Sequence, residues 1–205
     1  MSFNDLLFNV LVGFVMLFIL AFLLINPITK KAEIPKKAEI MVILDWEDAS
    51  KDDIDLWVYG DNMEKPLSFQ VKNTAYWHLD RDDLGINTDV VTVAGERKVL
   101  QYNREVATMR GLMSGDFSIN VHVYGKKDNK PTKVWVTLVD VNPYREIYKL
   151  EAEAVGHSDI LKFPGFTVDE KGRITETFVS DRIFAARRGE LSTVPDTSNR
   201  NGALP

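Results

Sequence analysis

The 205-residue chain contains no cysteine. This excludes a disulfide framework, a cysteine-ligated zinc site and a thiol nucleophile, and it leaves the redox compartment open. A basic excess is also missing. Lys and Arg number 25 against 30 Asp and Glu, for a net charge of −5, which is the wrong sign for a nucleic-acid partner. Histidine is scarce: His78, His122 and His157 stand far apart, with no H-x-x-x-H spacing to suggest a zinc helix. No G-x-S-x-G, P-loop or G-x-G-x-x-G stretch occurs, so neither a hydrolase elbow nor a nucleotide cradle is indicated. What remains, at 27% charged and 45% hydrophobic, has the composition of an ordinary globular protein of one domain with appendages.

The hydrophobic residues are unevenly spread. From Leu6 to Ile25 the chain reads LLFNVLVGFVMLFILAFLLI, 20 residues without a charge. As a helix this run spans about 30 Å, the thickness of a bilayer's hydrocarbon core. A cleaved signal peptide fits it poorly: no basic segment precedes it, it is longer than an ordinary h-region, and no small-x-small cleavage site follows. Asn26-Pro27 closes the helix, because the residue before a proline is pushed out of helical geometry. The expectation is a short N-terminus over residues 1–5 and a retained transmembrane helix over 6–26. No second run of this kind follows.

Asp5 stands at the start of that run. A carboxylate is costly near hydrocarbon, by about 2.5–3.5 kcal/mol at the bilayer centre and less towards the edge. Asn9 and Gly13 follow at four-residue intervals, so the three share one helical face while Phe and Leu cover the rest. Small and polar residues gather where membrane helices meet protein. The residues alone leave a second reading open, in which Asp5 lies among the headgroups or caps the helix N-terminus.

FNDLLFNVLVGFVMLF resembles the single transmembrane helix of the ExbD/TolR/MotB family, over roughly the first 27 residues. The resemblance implies a dimeric inner subunit of an ion-driven motor, held within a pentamer of TolQ/ExbB/MotA-like multi-span subunits. It also implies that Asp5 matches the family's aspartate, which binds and releases the coupling ion, H⁺ or Na⁺. It further implies a bacterial inner-membrane location with the C-terminal part exported. Charge patterning points the other way. Lys30, Lys31, Lys36 and Lys37 follow the span and nothing basic precedes it, a pattern that places the C-terminal part in the cytoplasm.

Residues 27–39, PITKKAEIPKKAE, open a near-repeat KKAEIPKKAEI and read as an extended Lys/Pro linker. From residue 40 to 186 the chain turns strand-like. IMVILDW is an apolar run of strand length, and DIDLWVYG alternates Ile54, Leu56 and Val58 with Asp53, Asp55 and Trp57. LSFQV, VVTVAG, REVATMRGL, DFSINVHVYG, TKVWVTLVDV, EIYKLEAEAV and ITETFVSDRIF are further candidates, separated by turn signals. Phe117, Ile119, Val121 and Val123 should face one side of their strand, with Ser118, Asn120, His122 and Tyr124 on the other. The expected fold is a single N-terminal transmembrane α-helix followed by a mainly antiparallel β-sandwich domain. DWEDASKDDIDLWVYG and GLMSGDFSINVHVYG resemble bacterial exported β-sandwich modules, which implies a binding or structural role. The tail over 187–205 is poor in large apolar residues and should be disordered.

Site chemistry in the soluble part is sparse. Asp45, Glu47, Asp48, Asp52, Asp53 and Asp55 crowd one stretch, and the five aspartates are candidate oxygen ligands for Ca²⁺, although the EF-hand order is missing. Tyr76-Trp77-His78-Leu79 and Asn142-Pro143-Tyr144 could form a recognition surface, while aromatics in a β domain more commonly pack. No catalytic group is expected. Two classes of function remain: an ion-carrying motor subunit whose β domain transmits force to an external target, and a membrane-anchored β-sandwich that binds or supports without ion transport.

Overall fold

The structure is a computed structural model that describes residues 2–25, 37–84, 90–99 and 102–184. It divides into two units, an N-terminal helix and a β domain. The tail over 187–205 and the linker as far as residue 36, with Lys30, Lys31 and Lys36, lie outside the described residues. The last two linker residues, Ala38 and Glu39, already belong to the first strand.

Helix α1 runs over Phe3–Ile25, so it starts three residues before the apolar run. The reason is local. Ser2 supplies its carbonyl to the amides of Asp5 and Leu6, and the Asp5 carboxylate accepts a hydrogen bond from the Ser2 amide at 3.0 Å. This reciprocal capping satisfies donors that the first turn otherwise leaves open. Asp5 therefore sits inside the helix rather than before it. The apolar side chains described on α1 are all exposed within the chain. Phe3–Phe22 is long and apolar enough to cross a membrane, as an anchor or as a signal sequence.

Among the described residues, the second unit contains eleven strands: β1 (Ala38–Trp46), β2 (Asp53–Gly60), β3 (Trp77–Arg81), β4 (Val90–Val93), β5 (Glu96–Val99), β6 (Asn103–Arg110), β7 (Gly115–Gly125), β8 (Thr132–Val141), β9 (Tyr144–Ala154), β10 (Ile160–Val168) and β11 (Ile174–Phe178). A five-stranded sheet has the order β3-β6-β1-β8-β9, a four-stranded sheet the order β11-β10-β7-β2, and β4-β5 form a separate hairpin. Every strand pair in both sheets is antiparallel. The fold is a helix plus an antiparallel β-sandwich.

Period-two alternation builds the core between the sheets. One sheet contributes Ile40, Val42, Leu44, Val134, Val136 and Leu138; the other contributes Ile54, Leu56, Val58, Ile119 and Val121, and all are fully buried. Trp77, Phe117 and Phe166 pack ring against ring, with centroids 5.4–6.3 Å apart. LSFQV does not become a strand. Leu67, Ser68 and Val71 make only isolated bridges, and this stretch instead delivers Phe69 to the far side of β2, edge-on to Trp57 at 6.0 Å.

Phe117, Ile119, Val121 and Val123 line the core as their spacing requires. The opposite face of β7 is less open than alternation suggests, for Ser118, Asn120 and His122 are buried too. The segment after β11 crosses that face. Ser180 Oγ is 2.8 Å from Ser118 Oγ, and Asn120 donates to the Arg182 carbonyl and accepts from the Phe184 amide, each at 3.0 Å. Phe184 then packs with Trp57 and Tyr59 in a small second cluster.

Candidate functional site

In α1, Asp5 is the only ionisable side chain. It lies in the first turn, with Asn9 and Gly13 one and two steps of four residues further along the same face. A Cβ at Gly13 would meet nothing within 4 Å. Gly13 therefore leaves a shallow notch that another helix could approach closely. Among the described residues, the Asp5 carboxylate accepts from the Ser2 amide through Oδ2.

The acidic residues of the β domain separate into three settings. Asp45, on β1, binds Arg104 Nε at 2.5 Å, at the edge of an open cleft of about 770 Å³ that Arg81, Lys149 and Trp135 also line. Glu47, on the same cleft, pairs with Lys130 at 3.2 Å, and Asp48 is exposed. Asp52 is fully buried. Its Oδ2 accepts from Lys126 Nζ and Thr132 Oγ1, each at 2.5 Å, and its Oδ1 from the amides of Lys127 and Asp128 at 2.6 and 2.8 Å. Burial pushes this carboxyl up, but these hydrogen bonds outweigh it and hold Asp52 below the ordinary carboxylate range. The residue is a clamp between two loops, with no free oxygen to offer a metal.

The third setting gathers Asp55 with two residues that the sequence reading did not single out, Asp82 and Glu105. Ligand oxygens from the three lie within 4.8 Å of one another, and this is the only such group of potential metal ligands among the described residues. The five aspartates named as candidate calcium ligands thus do not converge. β1 and β2 belong to different sheets, which sends Asp45 and Asp55 apart, while Asp52 is consumed by its clamp.

Glu105 reaches the group from an inward position of β6, between buried Asn103 and Ala107. Its Oε2 accepts from the Leu56 amide at 2.7 Å and its Oε1 from the Asp83 amide at 3.3 Å. β2 is an edge strand, so Glu105 supplies the acceptor that a neighbouring strand would otherwise give to Leu56. Asp82 pairs with Lys72 Nζ at 2.6 Å through Oδ2. Asp55 Oδ2 lies 3.7 Å from His122 Nδ1, too far for a hydrogen bond.

Burial drives the Glu105 carboxyl well above its ordinary value, reinforced by the charges of Asp55 and Asp82. Asp55 is raised by burial too, against a smaller opposing effect of His122. Asp53, just outside the trio, is pushed up to about 6 by burial and then by Asp55. A signal for Glu105 was present in NREVATMR: a glutamate at the same parity as Ala107 and Met109, where only core residues belong.

The two aromatic stretches weighed as a recognition surface are divided. Trp77 is fully buried in the core and Tyr76 packs against it, while Tyr144 is 73% exposed. His78 pairs with Asn73 at 2.9 Å, His122 is buried and His157 exposed. Comparison of the chain with protein-family models, with curated proteins and with solved structures finds no match.

Proposed function

We propose that this chain is the B-type subunit of a 5:2 rotary motor driven by a proton or sodium gradient. Asp5 carries the ion, and the β-sandwich transmits force to an external target from the periplasmic side of a bacterial inner membrane. The observation that carries this reading is the lone carboxylate of α1, in the first turn of an otherwise charge-free helix and aligned with Asn9 and Gly13.

Two such helices would stand inside a ring of five multi-span partners, with Asp5 facing a different part of the ring at each step. Uptake of a proton neutralises the carboxylate and removes most of the cost of facing an apolar wall. Release returns it to a polar site. Repeated steps turn one component against the other.

A second reading has its own support. The Ser2–Asp5 capping pair is enough to account for an aspartate at this position, in which case α1 is an anchor and the sandwich a binding or supporting module.

The test is co-expression with a multi-span partner gene, gentle extraction and native mass spectrometry. Two copies with five of the partner are expected, unchanged in assembly by Asp5→Asn but inactive in ion-driven work. Recovery as a monomer or simple oligomer, or full activity of Asp5→Asn, overturns the motor reading.

A further inference from the structure

The Asp55, Asp82 and Glu105 trio joins β2, β6 and the segment just after β3. β2 and β3 are edge strands of opposite sheets, and Asp82 and Asp83 continue the chain just beyond β3. Asp55 enters the trio with a side chain only 4% exposed, and its Oδ2 has no hydrogen-bond partner among the described residues. Asp82 Oδ1 is likewise buried without one. Three carboxylates this close cannot all stay ionised in a poorly hydrated site without a positive charge among them. Among the described residues, Lys72 pairs with Asp82 and the His122 ring lies 3.7 Å from Asp55, while Lys127 acts on neighbouring Asp53.

We propose that Asp55, Asp82 and Glu105 bind a hard divalent cation, calcium by its all-carboxylate ligand set, at the β2 edge of the sandwich. All three donors are carboxylate oxygens, the ligand type that selects calcium or magnesium over zinc and copper. The number of carboxylates then favours calcium. Mg²⁺ sheds its water reluctantly and is usually held by one or two carboxylates, whereas Ca²⁺ takes several protein oxygens, and the three ligand oxygens here all lie within 4.8 Å of one another. A cation here would link β2, β6 and the segment after β3, three pieces that Glu105 already ties through the Leu56 and Asp83 amides. The site acts in the β domain and is independent of any ion carried by Asp5.

The test uses the full chain in detergent after EDTA treatment, titrated calorimetrically with CaCl₂ and, separately, MgCl₂, with melting followed in parallel. One Ca²⁺ per chain is expected, bound more tightly than Mg²⁺ and raising the melting temperature. Asp55→Asn removes a charge from an oxygen that lacks a hydrogen-bond partner. It should weaken Ca²⁺ by at least the ~10-fold that even outer-sphere losses cause, while melting no lower than the parent in EDTA. Asp82→Asn, at a less buried position, serves as the second variant should Asp55→Asn fail to fold. No saturable heat at millimolar Ca²⁺, unchanged affinity in the folded variants, or tighter Mg²⁺ binding overturns the assignment; the first result would mean that the trio is only a cluster of carboxyls sharing protons.

Discussion

Asp52→Asn should destabilise the β domain more than any other single change of one atom in its loops. The substitution keeps an oxygen for the Lys127 and Asp128 amides, both of which bond Oδ1. It places an NH₂ where Oδ2 now faces Lys126 Nζ. The lysine, 9% exposed, is left as a buried ammonium facing another donor. Breaking one side of a buried ion pair costs about 3–5 kcal/mol, and the low end applies because the lysine can swing partly into water. In a domain of this size about 3 kcal/mol corresponds to a loss of roughly 6–12 °C in Tm.

Thermal and urea unfolding of the full chain measure this directly, and Asp52→Asn combined with Lys126→Met should recover most of the loss because no unpaired charge remains. The pH dependence has a fixed sign. Asp52's folded-state value is depressed, so its contribution is complete above the unfolded-chain pKa of about 3.9 and disappears as the pH falls through the folded value. The gap between parent and Asp52→Asn should therefore narrow below about pH 4. A gap under about 1 kcal/mol at pH 7, the scale of a surface pair, or one that does not change down to pH 3, would refute the clamp.

Two further outcomes follow from other parts of the fold. Asn120→Ala removes both hydrogen bonds that hold Arg182 and Phe184 across β7; about 2 kcal/mol should be lost, and the Phe184 amide should exchange faster in hydrogen-exchange mass spectrometry, whereas unchanged protection would mean that ring packing alone holds the segment. Because the chain has no cysteine, Tyr144→Cys at the exposed β8–β9 turn places a single thiol on the β domain; labelling of intact cells' periplasm by an impermeant maleimide is expected, and protection until the inner membrane is broken would favour the cytoplasmic side that Lys30, Lys31, Lys36 and Lys37 suggest.

How far the sequence could be read depended on how far apart the interacting residues lie. Alternation in DIDLWVYG and DFSINVHVYG named Ile54, Leu56, Val58 and the Phe117–Val123 core residues correctly, because which face a side chain takes is a local property of a strand. Burial of Ser118 and Asn120 was not legible, since their cover comes from residues 180–184, some 60 positions later. The same holds for the acids. Crowding of Asp45 to Asp55 in sequence suggested one site, yet the sheets separate them, and the ligand oxygens that do meet come from β2, β6 and the end of β3. A charged residue on a core parity, as at Glu105, was the one local sign of that meeting.

Asp5 poses the sharper question, because capping and ion carriage call for the same residue at the same place. Helix α1 begins at Phe3, and its reciprocal cap needs an acceptor oxygen at residue 5 for the Ser2 amide; ion carriage needs a carboxylate that can be neutralised there. Asparagine separates the two, for its carbonyl oxygen still accepts from Ser2 while the charge is gone. Alanine removes both, at a capping cost of about 1 kcal/mol, small against the hydrophobic free energy that holds a span of this length in a bilayer. Ion flux into proteoliposomes holding the co-purified complex should therefore vanish in Asp5→Asn and Asp5→Ala alike, with both still assembled. If instead Asp5→Asn carries full flux and only Asp5→Ala fails, the acceptor and not the charge is what the helix requires, and Asp5 is a cap.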